Sequence, residues 1–310
     1  MNLLDAFHHH FQRAIGDRHV LLFGENIDNG SMLSGLGKGL ASLPNATILN
    51  VGNCELTHVG TGMGIMIEGG HAILFVKQLD FLLLALDQMV NTLNSVRAGA
   101  PVAGRPLGSF TIVTYLCDQG YQGPQSSMVD LTGFASLGAF PGFLLQEFHQ
   151  IESVLRTQLF APGFRILGIP QGISRQPVAH EVPTGSGDGW RIYGTSDGVW
   201  IVSCHSTFAQ ALELRKMLEA RATKAAILQA DILPGLSVAE VLGSHRPVRA
   251  AVVMDDAKGL VKWGDLVVRQ MALASPRVPL FFLDRPRNDA VGQDQITWPL
   301  ESLADQLAKQ

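Results

Sequence analysis

The sequence predicts an α/β protein of two doubly wound domains, and three observations carry that prediction. Short β-branched and aromatic runs alternate with amphipathic stretches of helical period along nearly the whole chain, the pattern of a mainly parallel sheet covered on both faces. The alternation breaks at a Gly-, Pro- and Ser-rich segment without apolar period, which reads as a linker over 173–189 between domains at 1–172 and 190–310. A length of 310 residues, 46% of them hydrophobic, leaves room for two well-filled cores.

In the first domain, Leu3 to Ile15 reads as a helix and His19 to Phe23 as a short buried strand ending at Gly24. Ser31 to Leu43 reads as helical despite its glycines, and Thr47 to Val51 as the next strand. A helix opens at Glu55, and His71 to Val76 is a strand. A long helix from about Leu79 to Val96 satisfies the 3.6 period with Leu82, Leu83, Leu86, Met89, Val90 and Leu93. Ser109 to Tyr115 has the composition of a central strand and runs into a loop from Cys117 to Ser127. Gly142 to Phe148, a helix at Ile151 to Leu159 and Phe164 to Ile169 continue the series.

The second domain begins with strands at Arg191 to Tyr193 and Val199 to Ser203, the latter leading through Ser206 or Thr207 as cap into a helix at Phe208 to Ala220. Lys224 to Leu228, Val238 to Leu242, Val248 to Met254, Gly259 to Ala274, Leu280 to Leu283 and Leu300 to Ala308 then alternate strand and helix.

Composition narrows the classes of function. A formal charge of −4 with no basic run gives no electrostatic reason to expect nucleic acid or an anionic membrane. The longest apolar runs, such as Phe81 to Leu86, fall far short of the ~18 residues a spanning helix requires. Met1 to Ile15 is amphipathic, not a basic region before an apolar core, so it does not read as a secretory signal. Cys54, Cys117 and Cys204 are too scattered for a disulfide framework, and a reducing cytoplasm is the expected compartment.

Chemistry concentrates in Asn53 to Gly70, which sets Glu55 at the mouth of an apolar helix holding Gly60, Gly62 and Gly64. Each glycine costs roughly 0.8–1 kcal/mol relative to alanine in a helix interior, so keeping three points to close backbone approach. Gly60 and Gly64 are four apart and share a face, which can press on a second helix of the same chain or of another subunit. A carboxylate in the first turn is either a partner for the helix dipole, worth about 0.3–1 kcal/mol, or a reagent.

The spacing of Glu55, Gly60 and Gly64 resembles the motif of the pyrimidine-binding domain in thiamine diphosphate enzymes. Gly24-Glu25-Asn26 and Lys38-Gly39-Leu40 upstream, with Asp80-Phe81, Asp87-Gln88, Asn91 and Arg97 downstream, resemble the beta subunit of the 2-oxo-acid dehydrogenase first component, of pyruvate and branched-chain types. The second half resembles the C-terminal domain shared by that subunit and transketolase, with Met254-Asp255-Asp256 as a strand-end acidic pair. The resemblance implies a transketolase-like N-terminal domain, a transketolase-C-like second domain, and thiamine diphosphate with Mg²⁺ as cofactors. It gives Glu55 the task of hydrogen-bonding the aminopyrimidine ring nitrogen, favouring the tautomer that deprotonates the thiazolium, and Phe81 that of stacking on the ring. Gln125 and Ser126 fall in a loop where the family carries a histidine in place of Ser126, which leaves lipoamide transfer, carboligation and simple decarboxylation open. His58 and His205 are the candidates for a substituting imidazole.

Two further features are set aside. His8, His9 and His10 point about 100° apart on a helix and cannot converge on one metal, so they read as a solvated or interface patch. Gly187-Asp188-Gly189 spells the start of the family's diphosphate and Mg²⁺ motif, yet the asparagine pair expected downstream is missing. The resemblance therefore implies that an alpha subunit holds the diphosphate and Mg²⁺, in an assembly of α2β2 type with the beta chains paired through the Gly60/Gly64 helix. The C-terminal half of a split transketolase acting on ketose substrates, and a noncatalytic scaffold subunit, are the alternatives.

Overall fold

The computed structural model describes residues 1–117, 130–245, 247–285 and 296–309. The chain forms two compact units, one of Met1–Met128 with Phe134–His180 and the other of Val129–Gly133 with Glu181–Gln310.

The first unit is built on a wholly parallel six-stranded sheet. Its strands are β1 (Val20–Gly24), β2 (Ala46–Asn50), β3 (His71–Gln78), β4 (Ser109–Leu116), β5 (Gly142–Leu144) and β6 (Gly163–Pro170), in the order β2-β1-β3-β4-β6-β5. β4 is central and every one of its residues is buried, as expected of a parallel strand covered on both faces. Helix α1 (Leu3–Ile15) is capped by the Asn2 side chain, which accepts the Asp5 N–H at 2.7 Å. It buries Leu3, Phe7, Phe11 and Ile15, a stripe of helical spacing, and packs along α5 (Phe148–Gln158). Helix α2 (Glu55–Ile67) carries the chain from β2 over β1 to β3, so β1 lies between its two successors. The sheet is therefore laid down in one direction to β2 and in the other from β3 onward. Such a reversal opens a crevice at the carboxyl ends of the strands on either side.

The second unit repeats the principle with a mixed sheet, ordered β12-β11-β9-β10-β8-β7. Strands β9 (Val199–Ser203), β10 (Ala225–Ala230), β11 (Ala250–Asp255) and β12 (Leu280–Asp284) are parallel, while β8 (Trp190–Tyr193) and β7 (Gly185–Gly187) add an antiparallel edge. Helices α6 (Phe208–Glu219), α7 (Val238–Ser244), α8 (Trp263–Ala274) and α9 (Leu300–Leu307) complete it. Here the reversal falls between β9 and β11.

Four local readings of the sequence change. Ser31 to Leu43 is a run of turns with one 3₁₀ turn at Leu40–Ser42, because Met32, Leu33 and Ser34 all take left-handed backbone angles that an α-helix of L-residues excludes. The stretch from Leu79 to Val96 is not one α-helix. It starts as 3₁₀ over Leu79–Ala85, where the buried residues Leu79, Leu82 and Ala85 recur every third position and leave Leu83 and Leu84 exposed. A π turn at Gln88–Thr92 then feeds α3 (Leu93–Ala103). Helix α4 (Leu131–Gly138) has no counterpart in the sequence reading. His8 and His10 are buried, His8 Nε2 lying 3.1 Å from the Leu36 carbonyl and the His10 ring meeting Phe148 edge to face, so the histidine run is not a solvated patch. Within the segment read as a linker, Gly187-Asp188-Gly189 forms the β7–β8 turn, with Gly189 at φ +77°.

The close approach expected of the α2 glycines is made by Gly62, where a Cβ would fall 2.2 Å from the buried Phe110 ring. Gly64 faces open space. Gly62→Ala is expected to cost about 1–3 kcal/mol by overpacking, whereas Gly64→Ala gains up to roughly 1 kcal/mol of helix propensity; urea unfolding of the two variants checks the contrast.

Candidate functional site

The crevice of the first unit gathers residues from three strand ends. Glu25 follows β1, Gly52 and Asn53 follow β2 and lead into α2 at Glu55, and Phe81 lies in the 3₁₀ turn after β3. With His58 and Lys77 they line a shallow recess that is open to solvent. Local constraints hold its walls. A Cβ on Gly24 would fall 2.3 Å from the Phe75 carbonyl oxygen, so β1 can lie this close to β3 only with glycine there. The Asn50 side chain accepts the Ile27 N–H at 2.9 Å and donates to Asp28, tying the loop after β1 to the end of β2.

Glu55 is the first residue of α2 and is half-buried. Among the described residues its carboxylate makes no hydrogen bond or ion pair. The cap position is held by Cys54, whose thiol contacts the Thr57 hydroxyl at 2.9 Å and makes no capping bond. Glu55 thus retains its favourable place at the positive end of the helix dipole while its oxygens stay free for something else. His58, three residues on, shares its face of α2 and lines the same recess, with Phe23 edge-on at 6.4 Å. Burial lowers the His58 pKa, and the nearby charges of Glu55 and Glu25 pull the other way. The imidazole is therefore neutral at neutral pH.

Of the predicted site residues, Glu55 and Phe81 are brought together in this recess. Gln125 and Ser126 lie outside the described residues. Between the two candidate histidines the structure separates the roles: His58 is at the recess, and His205 is fully buried in the second unit. Glu25, quoted above as part of a motif, takes a place at the recess that its sequence neighbourhood alone does not reveal.

At the reversal of the second sheet, His205 follows β9 and Asp255-Asp256 end β11. His205 Nδ1 lies 2.9 Å from Asp256 Oδ1, and Asp256 also accepts the Ser206 N–H at 2.9 Å and the Ser206 hydroxyl. Asp255 accepts the N–H groups of Ala257 at 2.9 Å and Gly264 at 2.7 Å. Burial alone would push all three groups toward neutrality. It prevails at Asp255, whose pKa rises to about 6. At Asp256 the bonds from His205 and Ser206 overcome burial and hold the pKa low. Three potential donor atoms, one each from His205, Asp255 and Asp256, fall within 4.8 Å of one another. They are already engaged in these bonds, so the group is a closed polar network in place of a cation site.

No protein-family model and no curated protein sequence matches the chain. Solved structures do. A split-gene transketolase, described as an inactive β4 tetramer, matches with a TM-score of 0.69 at 14% identity over 100% of this chain and 98% of that one. A 2-oxoglutarate:ferredoxin oxidoreductase from Magnetococcus marinus, solved with 2-oxoglutarate, coenzyme A and succinyl-CoA, matches with a TM-score of 0.61 at 10% identity, over 100% of this chain and 64% of that one. At these identities the likeness establishes the fold: two α/β units of transketolase-like type. Among the described residues no helix is long and apolar enough to cross a membrane.

The arrangement in the recess is directly testable. Removing the Glu55 charge by Glu55→Gln takes away a neighbour that favours the imidazolium, so the His58 pKa is expected to fall further; an NMR pH titration of the His58 ring reads the shift.

Proposed function

We propose that the chain is the beta-type subunit of a two-subunit thiamine diphosphate enzyme that makes or breaks a C–C bond next to a carbonyl, 2-oxo-acid decarboxylation with acyl or aldehyde transfer being the reaction favoured. One observation carries the reading: an unbonded carboxylate, Glu55, opens a helix at the carboxyl-end crevice of a parallel sheet, with the Phe81 ring lining the same recess. When bound, thiamine diphosphate supplies the electron sink for such chemistry. The free oxygens of Glu55 suit a hydrogen bond to the aminopyrimidine ring nitrogen, and Phe81 offers an aromatic face to the same ring. These residues fit the pyrimidine end of the cofactor.

The phosphate end is assigned to a partner. Gly187-Asp188-Gly189 serves as a hairpin turn, and the asparagine pair that completes the diphosphate motif is missing from the sequence. An alpha subunit would hold the diphosphate and Mg²⁺. Pairing of two beta chains through α2, giving α2β2, is supported by the stripe Leu56, Gly60, Gly64 and Ile67. Leu56 and Ile67 are exposed there, and Gly64 has nothing against it.

A split transketolase acting on ketoses is the second reading, favoured by the structural likeness to a split-gene transketolase. Assay of the chain mixed with its alpha partner on 2-oxo acids and on sugar phosphates separates the two. A noncatalytic scaffold predicts no turnover in either assay.

Glu55→Gln is expected to leave the fold intact and slow the reconstituted enzyme by roughly 10²–10⁴-fold, the usual contribution of a positioned acid or base; normal turnover removes the assignment. Phe81→Ala should weaken cofactor binding by about 0.5–1.5 kcal/mol with little change in the unfolding midpoint. Calorimetry of this chain alone with thiamine diphosphate and Mg²⁺ is expected to show no tight binding, and tight binding would refute the two-subunit arrangement.

A further inference from the structure

Helix α4 begins with backbone N–H groups that need acceptors from outside the helix. Asp130 Oδ1 takes the Gly133 N–H at 2.7 Å. The N–H of Leu131, the first helical residue, goes to a side chain 74 positions later, Nε2 of His205, at 3.2 Å. To accept, Nε2 must carry a lone pair, so the ring proton sits on Nδ1 and is donated to Asp256. The His205 backbone is at φ +54°, a left-handed value that a non-glycine residue adopts at a cost. The fold holds it there, in the tight turn between β9 and α6, with the ring fully buried.

The groups facing this ring are predominantly acidic. Asp255 and Asp256 approach from the end of β11 and Asp130 from the start of α4. The Cys204 thiol at the exit of β9 is close to the two aspartates, and burial and their charges push its pKa well up. Two cations bear on this cluster: Lys262, which acts on Asp130 and donates to Asp284 and to the Arg285 carbonyl, and Arg285, which donates to the Asp256 carbonyl. A second proton on the imidazole would therefore be welcomed by three carboxyl groups. It would also consume the lone pair that Leu131 uses, and set a positive charge at the positive end of the α4 dipole.

We propose that His205 is a proton-operated cap of α4: as the neutral imidazole it holds Leu131, and as the imidazolium it releases the Leu131 N–H and loosens the first turn of the helix while the rest of the second unit stays folded. Burial lowers the His205 pKa, but the hydrogen bond to Asp256 and the charges of Asp256, Asp255 and Asp130 outweigh it and raise the pKa above the ordinary imidazole value. A raised folded-state pKa means that protonation favours the folded unit, a gain present at low pH and lost as pH rises through that value. Acid thus loosens the cap without unfolding the core. Such a device gives the chain a response to mild acidification that is independent of Glu55.

Hydrogen exchange of the full chain across a pH series, corrected for the intrinsic pH dependence of exchange, tests the cap. Amides of residues 131–134 are expected to lose at least about tenfold protection as pH falls through the His205 titration followed by ring NMR, with β9 and β11 unchanged. Asp256→Asn should move that loss to lower pH. Leu131→Pro suits the first helical position but has no N–H to hold, so its residues 132–134 should show no pH step. Protection independent of pH, or a Leu131 amide still protected when Nε2 is protonated, overturns the proposal. So does an undiminished step in Leu131→Pro, and the ring NMR criterion stands even if that variant does not fold.

Discussion

The site of the first unit depends on one topological constraint: β1 lies between β2 and β3 in a parallel sheet. Crossovers between parallel strands are right-handed almost without exception, so a sheet that grows first to one side of β1 and then to the other places its connections on opposite faces. The loops at the carboxyl ends of β1 and β3 then diverge, and the gap between them cannot be filled by either connection. Glu25, Glu55 and Phe81 are drawn together by that divergence, each from a different strand end. Gly24 permits the spacing, since any side chain there would strike the Phe75 carbonyl and push β1 from β3.

The second unit has the same kind of reversal between β9 and β11 and uses it in the opposite way. In the first unit the crevice is open and one carboxylate is left unbonded. In the second, the corresponding position is packed with His205, Asp255 and Asp256, and their bonds to each other and to the backbone take up the donor and acceptor capacity in view. Buried polar groups of this kind are costly unless satisfied, and the satisfaction here shifts the carboxyls apart. Asp256, bonded to the imidazole, is held below the usual carboxylate range, while Asp255 is pushed to about 6 by burial. Equivalent places in two sheets thus yield an open recess in one case and a polar core in the other, with side-chain chemistry deciding between them.

The glycines of helix α2 differ in their surroundings. Gly62 lets the helix settle on the Phe110 ring inside its own unit, while Gly64 lies on an exposed stripe with Leu56 and Ile67. Packing within the unit accounts for Gly62, against the roughly 0.8–1 kcal/mol that a glycine costs in a helix interior.

The sequence by itself determined the fold class, most strand and helix positions and the prominence of Glu55, because periodicity, composition and short spacings are local properties written along the chain. It misjudged Ser31 to Leu43, where apolar spacing looked helical but three consecutive residues take left-handed angles, and it could not see the 3₁₀ and π turns that divide Leu79 to Val96. Only the tertiary structure decided that Glu25 shares the Glu55 recess, that Gly62 and not Gly60 meets a ring, and that His205 reaches back 74 residues to cap α4. Those pairings depend on which strands become neighbours, and contacts between residues so far apart in the chain leave no period or spacing from which they could be read.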